Sequence, residues 1–172
     1  RRVFFSFLPA QQALRYLTSS SVAHEPVMTQ EAIEWFEPKT GGTFVDCTAG
    51  YGGHTDALRR RVGEEGRIVA IDCDPFAFDY CIKRFEAYKN VVQCYNSNFV
   101  KIGEVLRQKG LTAVDGILVD CGVSSVQIDD PARGFTFRAA GPLDMRMDTR
   151  SERTVETALR DLSETELADV IF

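Results

Sequence analysis

Apolar and polar positions alternate between two periods from residue 25 onward. Short apolar runs, each typical of a buried strand, are separated by segments with the spacing of amphipathic helices. Because strands that alternate with helices require right-handed crossovers, this order predicts an α/β fold with a parallel sheet. The predicted strands are 43–47, 67–72, 91–95 and 114–120, and the predicted helices between and before them are 29–36, 54–62, 75–88 and 99–109.

The pattern changes after Asp120. The sequence becomes rich in turn residues, and two further helices are predicted at 154–160 and 163–172, the second opened by a capping-box pair, Ser163 and Glu166. Four strands are few for a doubly wound sheet, and the last helical pattern lacks a Gly or Pro stop signal. We therefore expect the chain to end before its domain does, with later strands missing.

The first 23 residues differ in kind from the rest. They contain three arginines and several serines, mixed with apolar residues, and no acidic residue. This profile is typical of an organellar transit peptide. A disordered extension is the alternative.

Composition and charge mainly exclude certain kinds of binding partner and site. A chain with 44% hydrophobic and 26% charged residues has the makeup of a globular protein. Its longest apolar runs fall far short of the ~18 residues that span a bilayer, so no membrane partner is predicted.

The net charge of -5 offers no global attraction to nucleic acid, so any RNA contact needs a local patch. Five cysteines without a C-x-x-C pair, and two histidines, predict no zinc site.

A glycine-rich turn follows the first predicted strand. Residues 46–54 read Asp-Cys-Thr-Ala-Gly-Tyr-Gly-Gly-His. In a parallel sheet this turn lies at the carboxyl edge, where ligands bind and glycines let backbone N–H groups approach them. The turn lacks the Lys-Ser/Thr of a P-loop and the last glycine of the dinucleotide fingerprint.

Two acidic residues end later strands at the same predicted edge. Asp72 lies about 20 residues after the glycines, where an acid binds ribose hydroxyls in cofactor-binding sheets. The alternative is that Asp72, or more readily Asp74, caps the following helix. The glycines and Asp72 together favour a cofactor that contains adenosine. Asp120 ends the fourth strand, where its carboxylate can accept a hydrogen bond from an amine of cofactor or substrate.

A later loop combines arginines with aromatic residues. Arg133, Arg138 and Arg146 accompany Phe135 and Phe137. Such side chains can bind phosphate and stack a base. The alternative is a loop anchored by its own aromatic contacts and salt bridges.

Six motifs in order resemble the N-terminal portion of the MraW family, the S-adenosylmethionine-dependent methyltransferases that methylate N4 of a cytidine in small-subunit ribosomal RNA. The Gly-Gly-His motif and Gly-Pro-Leu-Asp-Met-Arg-Met-Asp make the resemblance specific, and it runs from His24 to Phe172. The motifs lie at 24–28, 52–55, 70–75, 115–127, 133–135 and 141–148.

The resemblance implies a Rossmann-like class I methyltransferase fold in which 24–127 form the cofactor-binding half and 128–172 begin a helical insertion for RNA. It implies that Asp72 holds the ribose and that Phe99 lies near the adenine. A catalytic role of Asp120 as an acceptor at the cytosine amine is a separate hypothesis, which rests on its place at the end of the fourth strand. The cofactor residues implied are Gly52, Gly53, His54, Asp72, Phe99, Asp120 and Gln127, and the RNA residues proposed are Arg133, Phe135 and Arg146.

The resemblance also indicates the expected partner and the expected cellular location. The partner is small-subunit ribosomal RNA or the small ribosomal subunit, and the leader-like residues 1–23 favour mitochondria, whose ribosomes are of bacterial type, with the cytoplasm as alternative. Because the family's later motifs are absent, a catalytically incomplete fragment or a non-catalytic RNA-binding assembly factor is a second reading. An NAD-dependent oxidoreductase is a third, supported by the sheet and Asp72 and opposed by the incomplete glycine fingerprint.

Overall fold

A parallel sheet organises the first compact unit of this computed structural model. The structure describes Arg2–Ser6 by its backbone and residues 26–171 in full. In the described part of the chain the sheet has five strands, which are β1 (Arg2–Ser6), β2 (Thr43–Asp46), β3 (Arg67–Asp72), β4 (Val92–Asn96) and β5 (Gly116–Asp120). Their order across the sheet is β1-β5-β2-β3-β4. Val45 in the central strand, β2, pairs with Val69 on one side and with Ile117 on the other.

Helices cover both faces of this sheet. Neighbouring strand residues alternate between two apolar clusters, so that Phe44 and Ile68 contribute to one and Val45 and Val69 to the other. The first four helices are α1 (Thr29–Phe36), α2 (Gly53–Val62), α3 (Pro75–Arg84) and α4 (Ile102–Gln108). The first cluster contains buried side chains of α1, α2 and α3, and the second contains Val105 of α4.

The predicted α/β class, the four predicted strands and the helices between them are confirmed, with two differences in helix length. The predicted helix 75–88 ends at Arg84, because the next residue, Phe85, turns into the core with 2% of its surface exposed. A 3-10 turn, Glu86–Tyr88, follows. The predicted helix 99–109 begins as a second 3-10 turn, Phe99–Lys101, before α4.

Strand β1 was not predicted. It lies in the segment expected to be a leader or a disordered extension, and it pairs in parallel with β5 from Arg2 opposite Gly116 to Ser6 opposite Asp120. The fifth strand therefore corrects the predicted count of four. The remainder of the leader prediction, and His24 at the start of the family motifs, fall in residues 7–25, outside the described residues. The cellular location of the protein stays a prediction.

A second compact unit begins at Val123. Each of its helices opens with a capping box: Ser124 with Gln127, Thr154 with Thr157, and the predicted pair Ser163 and Glu166. Among residues 2–6 and 26–171, no helix has the length and apolar character needed to cross a membrane. The helices of this unit are α5 (Ser125–Asp129), α6 (Val155–Asp161) and α7 (Glu164–Ile171), with a 3-10 turn at Pro131–Arg133.

Replacing Gly116 by alanine is expected to lower the free energy of unfolding by about 1–3 kcal/mol, because the added methyl overpacks the core. A Cβ atom there would lie 2.7 Å from the ring of Phe36 and 2.8 Å from that of Phe44. The matched control is Gly103→Ala in α4, where a Cβ meets nothing within 4 Å. This control should raise stability by about 0.5 kcal/mol through helix propensity. Urea unfolding measures both, and equal shifts would contradict this account of the core.

Candidate functional site at the carboxyl edge of the sheet

Three acidic residues lie at the carboxyl ends of neighbouring strands. Asp120 ends β5, Asp46 ends β2 and Asp72 ends β3, and these strands are adjacent in the order β5-β2-β3. From β2 the chain adds β3 and β4 on one side and then returns to place β5 on the other. The edge between β2 and β5 is therefore a topological switch point, where open α/β sheets bind their ligands.

Asp72 joins the glycine-rich turn to the end of β3. One carboxylate oxygen accepts from the backbone N–H of Gly50 at 2.7 Å, and the other accepts from the backbone N–H of Asp74 at 2.9 Å. Burial raises the pKa of Asp72 above its ordinary value. The helix-capping alternative applies to Asp74, whose side chain accepts from the N–H of Phe76. Each Asp72 oxygen can accept a second bond, which leaves this carboxylate able to bind ligand hydroxyls.

Asp46 is a buried anchor that the sequence analysis did not single out. Its side chain has no exposed surface, and its carboxylate accepts from the Thr55 hydroxyl at 2.6 Å and from the Thr48 N–H at 3.2 Å. Burial raises the pKa of Asp46, while the Thr55 hydrogen bond acts in the opposite direction. The signal that could have found it is an acid that ends a buried strand immediately before a glycine-rich turn.

His54 connects the first turn of α2 to Asp120. Its Nε2 lies 3.3 Å from a carboxylate oxygen of Asp120, and its side chain is only 4% exposed. The backbone N–H of Asp120 donates to the Thr48 hydroxyl at 2.8 Å, which fixes the end of β5 to the same turn. Among the described atoms, the buried Nδ1 of His54 has no hydrogen-bond partner. With the proton on Nε2, directed at Asp120, Nδ1 presents a lone pair that a ligand donor can satisfy.

The glycines of the turn are required by packing as well as by conformation. Gly52 has φ +82°, and a Cβ atom on it would lie 2.6 Å from the ring of Phe85. A Cβ atom on Gly53 would collide with the ring of Pro26. These contacts bring the turn close to α1 and α3, and α2 begins directly after it.

The two other predicted cofactor residues lie farther along the chain. Phe99 follows the end of β4 and keeps 39% of its surface exposed, so its ring is available for stacking. Gln127 belongs to the second unit, and its side-chain oxygen accepts from the N–H of Ser124 in the capping box at the start of α5. Their roles toward a cofactor stay predictions.

The arginine loop of the second unit holds itself together. Arg133 donates to the carbonyls of Arg146 at 3.0 Å and Met147 at 3.2 Å. Arg146 makes a two-point contact with Asp144 at 2.8 and 2.6 Å, and this hydrogen bonding lowers the pKa of Asp144 to about 2. Phe135 is partly buried. The self-anchored alternative describes these arginine contacts, and the RNA roles of Arg133, Phe135 and Arg146 stay predictions.

Within residues 2–6 and 26–171, no group of three or more His, Cys, Asp or Glu side chains is arranged to hold a metal ion.

The doubly wound parallel sheet, the glycine-rich turn at its switch point and the acids that end β3 and β5 define a Rossmann-like cofactor-binding domain. The chain belongs to the MraW methylase family, whose sequence model matches residues 21–172.

The chain is also similar to individual bacterial proteins and to a solved structure. A ribosomal RNA small subunit methyltransferase H of Brevibacillus brevis is 38% identical over 156 residues, which cover 91% of this chain and 50% of the relative. The protein of the same name from Halothermothrix orenii is 39% identical, covering 86% and 47%. A SAM-dependent methyltransferase structure from Aquifex aeolicus is 28% identical, covers 41% of this chain and 38% of its own, and gives a TM-score of 0.37. The chain spans about half the length of the curated relatives it matches.

Thr55→Val is expected to lower the free energy of unfolding by about 1–3 kcal/mol at neutral pH, because it removes a donor from a fully buried carboxylate. The lost bond also raises the pKa of Asp46 further above its ordinary value. The deficit is therefore full above that pKa and shrinks as the pH falls and Asp46 becomes protonated. Urea unfolding at neutral pH and at the lowest pH that wild type tolerates measures this.

The control for this prediction is Thr112→Val, the same change at an exposed residue. It should leave stability unchanged within ~0.5 kcal/mol at both pH values. A Thr55→Val deficit that is the same at both pH values would contradict the assignment to Asp46.

Proposed function

We propose that this protein transfers a methyl group from S-adenosylmethionine to N4 of a cytidine in small-subunit ribosomal RNA. The observation that carries the proposal is the placement of His54, Asp72 and Asp120 around the switch point of the sheet, in a chain of the MraW methylase family. The name shared by the bacterial relatives, ribosomal RNA small subunit methyltransferase H, supports the substrate class.

The described residues fit the proposed cofactor in chemistry and position. Asp72 has lone pairs left to accept from the two ribose hydroxyls, and the exposed ring of Phe99 can stack on adenine. The buried Nδ1 of His54 has no hydrogen-bond partner among the described atoms, and with the ring proton on Nε2 it can accept from the ammonium group of the methionine moiety. When bound, S-adenosylmethionine supplies an electrophilic methyl group on a sulfonium.

Asp120 is the proposed catalytic residue. The exocyclic amine of cytosine is a weak nucleophile, since its lone pair is delocalised into the ring. Asp120 accepts one N–H of this amine and biases the lone pair toward the methyl group, and water then takes the proton. His54 fixes the carboxylate through its 3.3 Å contact. Because in-line displacement needs reacting atoms ~3–3.5 Å apart, most of the catalysis is expected from positioning.

The second unit is proposed to receive the RNA. Arg133 and Arg146 order its loop through the contacts described above. Phe137 and Arg138 follow on the same loop, and both are exposed. An exposed ring beside a guanidinium suits the stacking of an unpaired base next to a phosphate.

Two measurements test the function. Calorimetry with S-adenosylhomocysteine should show binding, and NAD should show none. Incubation with small ribosomal subunits and S-adenosylmethionine labelled in its methyl group should yield labelled N4-methylcytidine in a nuclease digest. Binding to RNA without methyl transfer would indicate an assembly factor in place of an enzyme. Binding of NAD in place of S-adenosylhomocysteine would indicate an oxidoreductase.

Asp120→Asn is expected to lower kcat by about 100-fold or more, as for a group that acts on a proton in the transition state. The affinity for S-adenosylhomocysteine is measured in parallel, so that loss of catalysis is separated from loss of the cofactor. Asp79→Asn, which changes an exposed acid on α3, is the matched control and should keep wild-type kcat. An Asp120→Asn variant with unchanged kcat and unchanged affinity would remove the proposed role.

We also propose that residues 1–23 direct the protein to mitochondria. The support is their acid-free content of arginine and serine, together with a family match that begins at residue 21. A bacterial-type ribosome there would present the cytidine.

This segment, fused to a fluorescent reporter in a eukaryotic cell, should place the reporter in mitochondria. Changing its three arginines to glutamine should leave the reporter in the cytosol, because import depends on their positive charge. A wild-type segment that stays cytosolic would reject the mitochondrial address and favour the cytoplasm.

A further inference from the structure

Exposed rings follow one another along the outer side of α3. Phe76 is 61% exposed and Tyr80 is 46% exposed, and the exposed Arg84 lies one further turn along, so the three occupy positions i, i+4 and i+8 of one helix. The opposite side of α3, with Ala77 and Cys81, is buried in the core. Packing on the sheet therefore explains the inner side of this helix and does not explain the exposed rings.

The glycine-rich turn adds a third ring to this surface. The rings of Tyr51 and Tyr80 meet edge to face, with their centroids 4.9 Å apart. The guanidinium group of Arg84 donates to the carbonyl of Tyr51 at 2.7 Å. Tyr51 directly follows Gly50, whose N–H donates to Asp72, the proposed ribose acid. The exposed rings thus adjoin the proposed cofactor site.

Arginines gather beside these rings in excess of acids. Three guanidinium groups approach the carboxylate of Asp56, with N–O distances of 2.8 Å for Arg59, 2.9 Å for Arg60 and 3.7 Å for Arg84. One negative charge among three positive charges leaves the cluster with a positive net charge. The side chain of Arg60 is 72% exposed, so this charge reaches the solvent.

The charge of this cluster is opposite in sign to that of the whole chain. The protein carries a net charge of -5, which offers a polyanion no overall attraction. The exposed flanking charges on α3, Asp79 and Lys83, cancel each other. The arginine cluster therefore provides the local positive surface that phosphate groups need.

The aromatic–arginine patch consists of Tyr51, Phe76, Tyr80, Arg60 and Arg84. We propose that this patch binds a single-stranded segment of the RNA substrate, next to the nucleotide that is methylated. Unpaired bases stack on the rings of Phe76 and Tyr80, and the arginines contact the phosphates between those bases. The identity of the RNA rests on the proposed function, whereas the binding of single-stranded RNA is measured without it.

The pairing of rings with arginines selects unpaired RNA. Stacking needs the face of a base, and in a duplex the neighbouring bases cover both faces. Every base has such a face, so this patch holds RNA without reading its sequence. The patch gives the cofactor-binding unit its own contact with RNA, in addition to the contact proposed for the loop of the second unit.

Fluorescence anisotropy with a fluorescein-labelled uridine octamer tests the stacking. Phe76→Leu keeps an apolar side chain and removes the ring, so it should weaken binding by about 5-fold or more, the lower range for one lost stacking contact. Phe76→Tyr keeps a ring and should keep the wild-type affinity. Trp35→Leu, which changes a 44% exposed aromatic residue on α1, is the matched control and should also bind as wild type does.

Salt dependence tests the phosphate contact. Arg60→Gln should lower the slope of log Kd against log salt concentration by about 0.7, the value for one phosphate contact of a single strand. Arg107→Gln, at an exposed arginine of α4, should leave the slope unchanged. Thermal melting of every variant verifies that it folds, and the Arg60 slope decides the proposal if Phe76→Leu does not fold.

The proposal is overturned if wild type does not bind the octamer, or if Arg60→Gln and Arg107→Gln lower the slope equally. A folded Phe76→Leu variant with full affinity also overturns it, since the face would then be an apolar docking surface for a protein. If the octamer binds with the expected variant effects and ribosomal subunits receive no methyl group, the proposed function fails and the RNA-binding patch stands.

Discussion

The buried carboxylate of Asp46 is the contact on which the carboxyl edge of the sheet depends. A buried carboxyl group needs hydrogen-bond partners, and this one obtains them from Thr55 in α2 and from the backbone of Thr48 in the turn. The same turn residue, Thr48, accepts from the N–H of Asp120 at the end of β5. One buried side chain thereby fixes the strand end, the turn and the first turn of the helix relative to one another. His54 follows from it, since it is the neighbour of Thr55 in α2.

The topology determines why these groups meet. Asp46, Asp72 and Asp120 are separated by 26 and 48 residues along the chain, yet the strand order places their three strands side by side. The crossovers that produce this order are short helices, one set on each face, and each has an apolar side that the strands require. The apolar pattern thus builds the core and also gathers the polar residues of the site at one edge.

The same patterns explain which elements and site residues could be predicted from the sequence. Helices and strands from residue 29 to 120 followed from local periodicity, and Asp72 and Asp120 followed from their positions at strand ends. The early end of α3 depends on Phe85 finding space under Gly52, a contact between distant segments. Strand β1 was not predicted, because its apolar residues lie among arginines and serines that favour a leader. Only its pairing with β5 identifies it as a strand.

The hydrogen bonds of Asp72 show how structure and proposed chemistry share the same atoms. Both of its oxygens hold backbone N–H groups, so replacing it by alanine would release the turn as well as remove an acceptor for ribose. A loss of cofactor affinity in that variant could not be assigned to ribose binding alone. Asp120 is a sharper probe, because its backbone N–H holds the Thr48 hydroxyl whatever side chain it carries, and Asn keeps the size of that side chain. The change removes the charge that faces His54 and the proposed substrate amine, and it leaves the anchor built by Asp46, Thr48 and Thr55 in place.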